Sequence, residues 1–518
     1  MLKLNHQSFE WALKQALNYG DTDIFPEAFE FLAINHQQDS ILKWLQSEDV
    51  LKWKVRPARH CLTPKHRYGF RISTQLDPID FLVYTALVYE LGEDLEARRV
   101  PKSEKIVHSH RFEPRDDGRM FDKSFGYDTF IQQCREIAGK THNSFEWVVL
   151  ADIADFFPKL YHHRLKGALN KCTSKNNHVL AIDHLISSWN ENYSYGIPVG
   201  QAASRLLAEV AIDDVDKSLL SEGTQFVRFS DDFRIFCKDK REAYEKLAFL
   251  ANVLFENHGL TLQQHKTQIM PLDDFIVRFL STEKEAEINK LSETFKNILD
   301  SFYEEIEWDD LSEEQQEEIS ALNLHGILEE QSELDEIDIP LTRFVLRRLA
   351  QLGSKESLDL VLDNIDKLYP VALDVIRYIQ GLRDVDKEQR HEIGLRLLKL
   401  IGNSITSHLE FHRMWLLSTF THDSEYDNEE LFPAIFSDCP DQFTQREIIL
   451  ALGRSKKDEW FRTRKRKVFD FSHWMRRALL LAGSCLPSDE RNHWYQSLEP
   501  RLDQLELAVT KWARQNPF

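Results

Sequence analysis

A chain of 518 residues is too long for one ordinary core and implies two or three domains. Its apolar content of 42% and aromatic content of 11% exclude a disordered polymer, and six scattered cysteines without a CxxC pair argue for reduced thiols over a zinc site or disulfide framework. The formal charge of −20 excludes a uniformly basic surface of the kind that coats nucleic acid.

The first elements are read from Met1 onward. Asn5, His6, Gln7 and Glu10 break the opening apolar residues too early for a signal peptide, and no stretch of eighteen apolar residues follows. A soluble, cytoplasmic protein with no membrane contact is expected. Gly20 and Asp21 mark a turn and helix cap. The run from Phe81 to Glu90 is apolar throughout and predicts a buried helix. Glu146 to Asp152 predicts a buried strand that ends in a carboxylate, and apolar spacing over Ala202–Leu220 predicts a helix. Phe226–Ser230 and Phe233–Cys237 predict two aromatic-rich strands joined at Asp231-Asp232, a hairpin with acids at its tip. Ala243–Asn257 predicts a helix stopped at Gly259.

From Ile276 the texture becomes helical, with segments such as Leu341–Ala350, Leu395–Ile401 and Met475–Ala482 separated by turn signals. Stacked antiparallel helix pairs account for this pattern. The net charge is −5 over residues 1–275 and −15 over 276–518, and Ser301–Pro340 holds fifteen acids without a single Lys or Arg. Global charge therefore says little about a local groove. The expected division is 1–275 as a mixed domain, 276–340 as an acidic helical connector, and 341–518 as a helical-repeat domain.

Four segments of the first half carry chemistry. Asp152 at a strand end can project a carboxylate toward a metal. Gly196, Pro198 and Gly200 let backbone approach a bound nucleotide ahead of a helix that offers free N–H groups to an anion. Asp231 and Asp232 are adjacent acids whose repulsion calls for a compensating cation. Lys266, expected just after a short strand, can reach a leaving pyrophosphate.

Their order, strand–Asp, Gly-rich loop and helix, Asp-Asp hairpin, then Lys-Thr, resembles the palm of reverse transcriptases over residues 50–275. An α+β fold is implied: fingers and palm, then an all-α HEAT-like domain. Gly20-Asp-Thr-Asp-Ile-Phe-Pro, Arg67-Tyr-Gly-Phe-Arg, Ala154-Asp-Phe-Phe-Pro and the Phe226–Phe236 stretch resemble more narrowly the bacterial abortive-infection polymerases of phage defence, prophage-encoded branch. Two departures stand out: Val199 occupies the position of the family's common Gln, and Phe229-Ser230 replaces its Tyr-x.

The resemblance implies nucleotidyl transfer with two Mg²⁺ ions, Mn²⁺ substituting, on Asp152, Asp231 and Asp232. It implies Phe157 as a steric gate against the ribose 2′-hydroxyl, with core packing as the plain alternative, and Asp155 as structural only. Arg67 and Arg71 are implied as grips on the triphosphate, with Lys65 competing. It further implies deoxynucleoside triphosphates as substrate, single-stranded DNA made without a template and attached to the protein, and a homo-oligomer. The basic run Arg462, Arg464, Lys465, Arg466 and Lys467 reads either as a nucleic-acid contact, with Trp460 and Phe461 as stacking faces, or as a solvated charge run. The alternatives are a templated RNA-directed polymerase of retron or group II intron type and a catalytically silent helical-repeat scaffold.

Overall fold

A computed structural model describes residues 1–66, 68–139, 145–190, 193–280, 324–383 and 385–518. The chain has an α+β fold that divides into two compact units. The first holds Met1–Asp23, Leu42–Arg59 and Thr74–Ser301; the second holds Ile24–Ile41, His60–Ser73 and Phe302–Phe518. Two short N-terminal pieces thus group with the C-terminal half. Strand β1 (Arg59–His66) pairs with β2 (Gly69–Gln75) as a two-stranded sheet.

The first unit is built on a four-stranded antiparallel sheet in the order β4-β5-β3-β6, with β3 at Trp147–Asp152, β4 at Gln225–Phe229, β5 at Asp232–Cys237 and β6 at Gln268–Pro271. Successive side chains of a strand point to opposite faces. Val148 and Leu150 of β3 therefore share a face with Asp152, and on it they join Phe130, Cys134, Phe236, Met270 and Phe275 in one buried cluster. That cluster fixes the sheet's register, since a slip of one residue would turn Asp152 away.

The apolar run at Phe81 is the middle of a longer helix, Pro78–Arg98, started by an Asp77 side chain that accepts from the Ile79 N–H and by a proline at the first turn. The predicted Ala202–Leu220 helix is two helices, Ala202–Ala211 and Asp213–Ser221. Ile212 leaves helical geometry between them (φ −112°, ψ 13°), and Asp213, Asp214 and Asp216 favour a fresh N-terminus there. The next helix runs Lys240–His258 and ends at Gly259, whose φ of +65° is the left-handed cap that glycine adopts without strain.

In the second unit, all regular structure described from residue 324 onward is helical. Helices Ile339–Leu352, Ala372–Gln380, Glu410–His422, Gln442–Arg454, His473–Ala482 and Gln504–Gln515 pack each against the next, the stacking expected of a helical repeat. The first of these starts at Ile339, capped by Asp338, two residues before the expected boundary. Most of the acidic connector, residues 281–323, lies outside the described residues. The Glu30–His36 helix packs on Gln504–Gln515, and the buried Glu30 carboxylate accepts from Arg446 Nη2 at 2.7 Å and Arg477 Nε at 2.9 Å. Burial opposes that charge, but the two guanidiniums hold Glu30 below the usual carboxylate range.

Candidate active site

Asp152 closes β3 and Asp232 opens β5, and the two are register partners. Directly opposed residues on one sheet face bring their Cβ atoms to about 4.5–5.5 Å. Asp231 forms the turn with Ser230, so the adjacent pair Asp231-Asp232 meets the distant Asp152 at one end of the sheet. The turn is short: Phe229 and Asp232 are paired, leaving only two residues to reverse the chain. Ser230 has φ +55°, a left-handed conformation that costs a β-substituted residue energy and needs support from its surroundings.

That support is a buried polar network. Arg228 is fully buried, donates from Nη1 to the Ser230 carbonyl at 2.7 Å and to Glu209 Oε2 at 2.9 Å, and forks onto Asp216 at 2.7 and 2.5 Å. Ser109 Oγ accepts from the Ser230 N–H at 2.7 Å. Glu209 also takes Arg99 Nη2 at 3.0 Å. Burial opposes its charge, yet Arg228 and Arg99 hold it well below the ordinary carboxylate range. Sequence reasoning missed all of these groups. The available signal was a lone arginine inside an apolar strand, three residues before the acids.

Electrostatics distinguish the acids. Burial, then the charges of Asp152 and Asp232, push Asp231 up to about 6. Asp232 Oδ1 accepts from Arg234 Nη1 at 3.3 Å, two residues along the same strand face. Asp152 Oδ2 accepts from Lys266 Nζ at 2.8 Å. Burial pulls the lysine downward, but the bond to Asp152 and the field of the three acids outweigh it and raise its pKa. Lys266 lies in the turn before β6, not after a strand as expected. It is delivered there by the Leu262 bridge to Ile153 and by the Gln263 N–H, which donates to the Asp152 carbonyl at 2.7 Å.

The Gly-rich loop is pinned beside the segment that follows Asp152. The Gly196 N–H donates to the Leu160 carbonyl at 2.8 Å and the Ile197 N–H to the Phe157 carbonyl at 3.1 Å. Gly196 has φ +92°, and a Cβ there would stand 3.2 Å from the Pro158 oxygen, so the close approach needs glycine. His162 Nε2 lies 2.7 Å from the Gly196 oxygen. The Val199 carbonyl accepts from Thr74 N–H at 3.3 Å, Pro198 precedes it, and Gly200 has φ +116°. Phe157 is half-buried and packs edge-on to Phe156. Asp155 is exposed at φ +47° ahead of the short Phe156–Lys159 helix.

The remaining predicted residues belong to the second unit. Arg71 lies on β2, where its Nε donates to Thr63 Oγ1 at 3.4 Å, and Lys65 lies on β1. Arg67 lies outside the described residues. The basic run forms the end of the Asp458–Arg464 helix and the following 3₁₀ turn, Lys465–Asp470. Its expected stacking faces are not available: Phe461 is fully buried and Arg464 covers the Trp460 ring at 4.0 Å.

What kind of protein carries this arrangement is answered by comparison with known families. Residues 102–318 match the family described as reverse transcriptase (RNA-dependent DNA polymerase). The chain thus carries a reverse transcriptase domain and is a nucleotidyltransferase of that kind. None of the curated proteins matches the sequence. Among solved structures, similarity is found to telomerase from Candida albicans with a fragment of telomeric RNA, at 13% identity and TM-score 0.33, covering 74% of this chain and 70% of that one. Apo telomerase from Candida tropicalis is similar at 12% identity and TM-score 0.33, covering 75% and 74%.

Proposed function

We propose that this chain is a phage-defence DNA polymerase of the abortive-infection kind, which adds deoxynucleotides without a template from a protein hydroxyl. The observation that carries the catalytic part is the meeting of Asp152, Asp231 and Asp232 beside Lys266. The donor set suits a hard divalent cation. All three are carboxylates, and Asp231 is pushed up to about 6 by burial and like charge, a cost that a bound cation would relieve. Asp152 and Asp231 would hold Mg²⁺ or Mn²⁺, with Asp232 ligating or supporting. When bound, the pair of ions supplies activation of the attacking hydroxyl and neutralisation of the leaving pyrophosphate.

The chain's own residues do the rest. Lys266 would turn from Asp152 toward the leaving phosphates and contribute charge or a proton. Phe157, tied to the Gly196 loop through its carbonyl, would fill the space of a ribose 2′-hydroxyl and favour deoxynucleotides. Arg67 and Arg71 are assigned to the triphosphate. Val199 and the Phe229-Ser230 pair, which replace family residues that position template and primer, support untemplated synthesis. The product would be single-stranded DNA joined to the protein, made by a homo-oligomer in the bacterial cytoplasm. No helix among the described residues is long and apolar enough to cross a membrane.

The test is incubation of purified protein with labelled dNTPs and Mg²⁺ or Mn²⁺ and no added nucleic acid, followed by denaturing electrophoresis. Label that travels with the protein and is removed by nuclease is the expected result, abolished in Asp231→Ala/Asp232→Ala. Synthesis that requires an added RNA and a paired primer would replace this reading with a templated one.

A further inference from the structure

The basic run of the helical unit is less uniform in space than in sequence. Arg462 Nε and Lys465 Nζ both donate to Glu490, at 3.1 and 2.5 Å, and Arg462 also pairs with Asp458 at 2.7 Å. Arg464 lies over Trp460. These three cations are already engaged. Arg466 and Lys467 are exposed and make no ion pair among the described residues.

Arg466 lines a cavity of about 460 Å³ between the 3₁₀ turn Lys465–Asp470 and the Ser488–Leu498 helix with its continuation to Arg501. Lys465, Phe469, His493, Trp494 and Arg501 line it too. Arg501 was invisible to a reading of the basic run, since it is thirty-four residues further on. Its guanidinium carbon lies over the Phe469 ring at 3.7 Å from the centroid, and that of Arg476 lies over the same ring at 5.0 Å. Stacking holds Arg501 in place without using its N–H groups, and it too has no acidic partner among the described residues. The single acid of the lining, Glu490, is occupied by Arg462 and Lys465. The cavity thus presents two uncompensated guanidinium forks and the exposed imidazole of His493 in an otherwise acidic protein.

We propose that this cavity binds the phosphodiester backbone of single-stranded nucleic acid through Arg466 and Arg501. A guanidinium fork matches a phosphate bidentately. The volume falls in the range of small-ligand sites, enough for a nucleotide-sized group of a flexible strand and too little for a duplex. The choice of single-stranded nucleic acid as occupant rests on the polymerase reading above, since that activity would supply it. Recognition here is of phosphate and not of stacked bases, since Trp494 is buried and the Phe469 ring is covered by Arg501 and Arg476.

The experiment uses the full chain, fluorescein-labelled oligothymidylate, and neither dNTPs nor divalent metal, with anisotropy read over a range of NaCl. Wild type and Asp231→Ala are expected to bind alike. Arg466→Glu/Arg501→Glu is expected to lose at least about tenfold in affinity and, as Arg466→Gln/Arg501→Gln, to lower the salt slope by about 1.4, about 0.7 for each lost phosphate contact. Arg462→Gln, which removes an already paired cation, is expected to change the slope little. Unchanged melting temperatures would show that the exposed substitutions leave the fold intact. Equal binding by wild type and both double variants would overturn the proposal, as would absence of binding by wild type or a preference for duplex or for free inorganic phosphate as competitor. Arginine-dependent binding without any synthesis would remove the polymerase reading and leave the cavity's phosphate recognition standing; synthesis without such binding would do the reverse.

Discussion

Lys266 pairs with Asp152, and in the proposed mechanism the same charge turns to a leaving phosphate. Its Nζ is 2.8 Å from Asp152 and its side chain is half exposed, so the stem can swing without opening the core. Lys266→Met is expected to slow nucleotide incorporation by about 10² while the melting temperature barely moves, because the lost pair is partly solvated. Steady-state incorporation and a thermal melt on the same sample check this. Asp80, by contrast, reports on stability alone. Its carboxylate accepts from Trp53 Nε1 at 2.8 Å and the Arg56 N–H at 2.7 Å, and burial followed by the nearby Asp77 charge pushes it up to about 7. An acid with a raised folded pKa keeps its proton in the native state after the unfolded chain has lost it. Its contribution is therefore fully present below about pH 4 and is lost as pH rises through about 7. Asp80→Asn is expected to flatten that part of the stability–pH curve in urea titrations between pH 4 and 8. At this scale Asp152, Asp231, Asp232 and Lys266 were legible because their order along the chain is itself a pattern. The Arg234 grip on Asp232 could also be foreseen from strand alternation, but whether a side chain reaches 3.3 Å depends on packing that alternation does not specify.

The hairpin of β4 and β5 was legible as an element, while the means of holding its turn was not. Phe226, Phe233 and Ile235 announce two buried strands, and only two residues remain to join them once Phe229 and Asp232 pair. The strain at Ser230 and its relief by Ser109, more than a hundred residues earlier, depend on tertiary contact. Ser109→Ala removes one bond to a buried backbone N–H and is expected to cost about 1–3 kcal/mol. Because that bond anchors the turn carrying Asp231, synthesis should also require more divalent metal, a shift a remote destabilising change would not produce. Metal titrations of activity beside urea melts separate the two effects. Arg228→Met leaves Asp216 and part of Glu209 buried without their cation, and an expected loss of about 3–5 kcal/mol should make it the most destabilising change in the palm. The broken helix at Ile212 belongs to the same scale. Apolar spacing runs on through the break, and only the acids at 213, 214 and 216 hint that a second helix begins.

At the scale of the molecule, the mixed first half and helical second half were legible from texture, and the assignment of residues 24–41 and 60–73 to the second unit was not. Nothing local marks Glu30 as special. It is one acid in a short helix, and its meaning comes from Arg446 and Arg477, more than four hundred residues away. Those arginines are buried, with Arg446 also over the Phe29 ring at 4.7 Å and donating to the Trp474 carbonyl at 2.7 Å. Removing one partner of a buried pair leaves the other as an uncompensated charge, so Glu30→Gln is expected to destabilise the helical unit by about 3–5 kcal/mol. The same reasoning applies to division of the chain. A fragment from residue 324 to 518 keeps every helix of the stack but loses Glu30 and the Glu30–His36 helix that covers Gln504–Gln515. It should melt early and with low cooperativity by circular dichroism, and a peptide of residues 24–41 added in trans should raise its midpoint in a dose-dependent way. The same peptide with Glu30→Gln should do so weakly, since the apolar cover would return without the charge that Arg446 and Arg477 require.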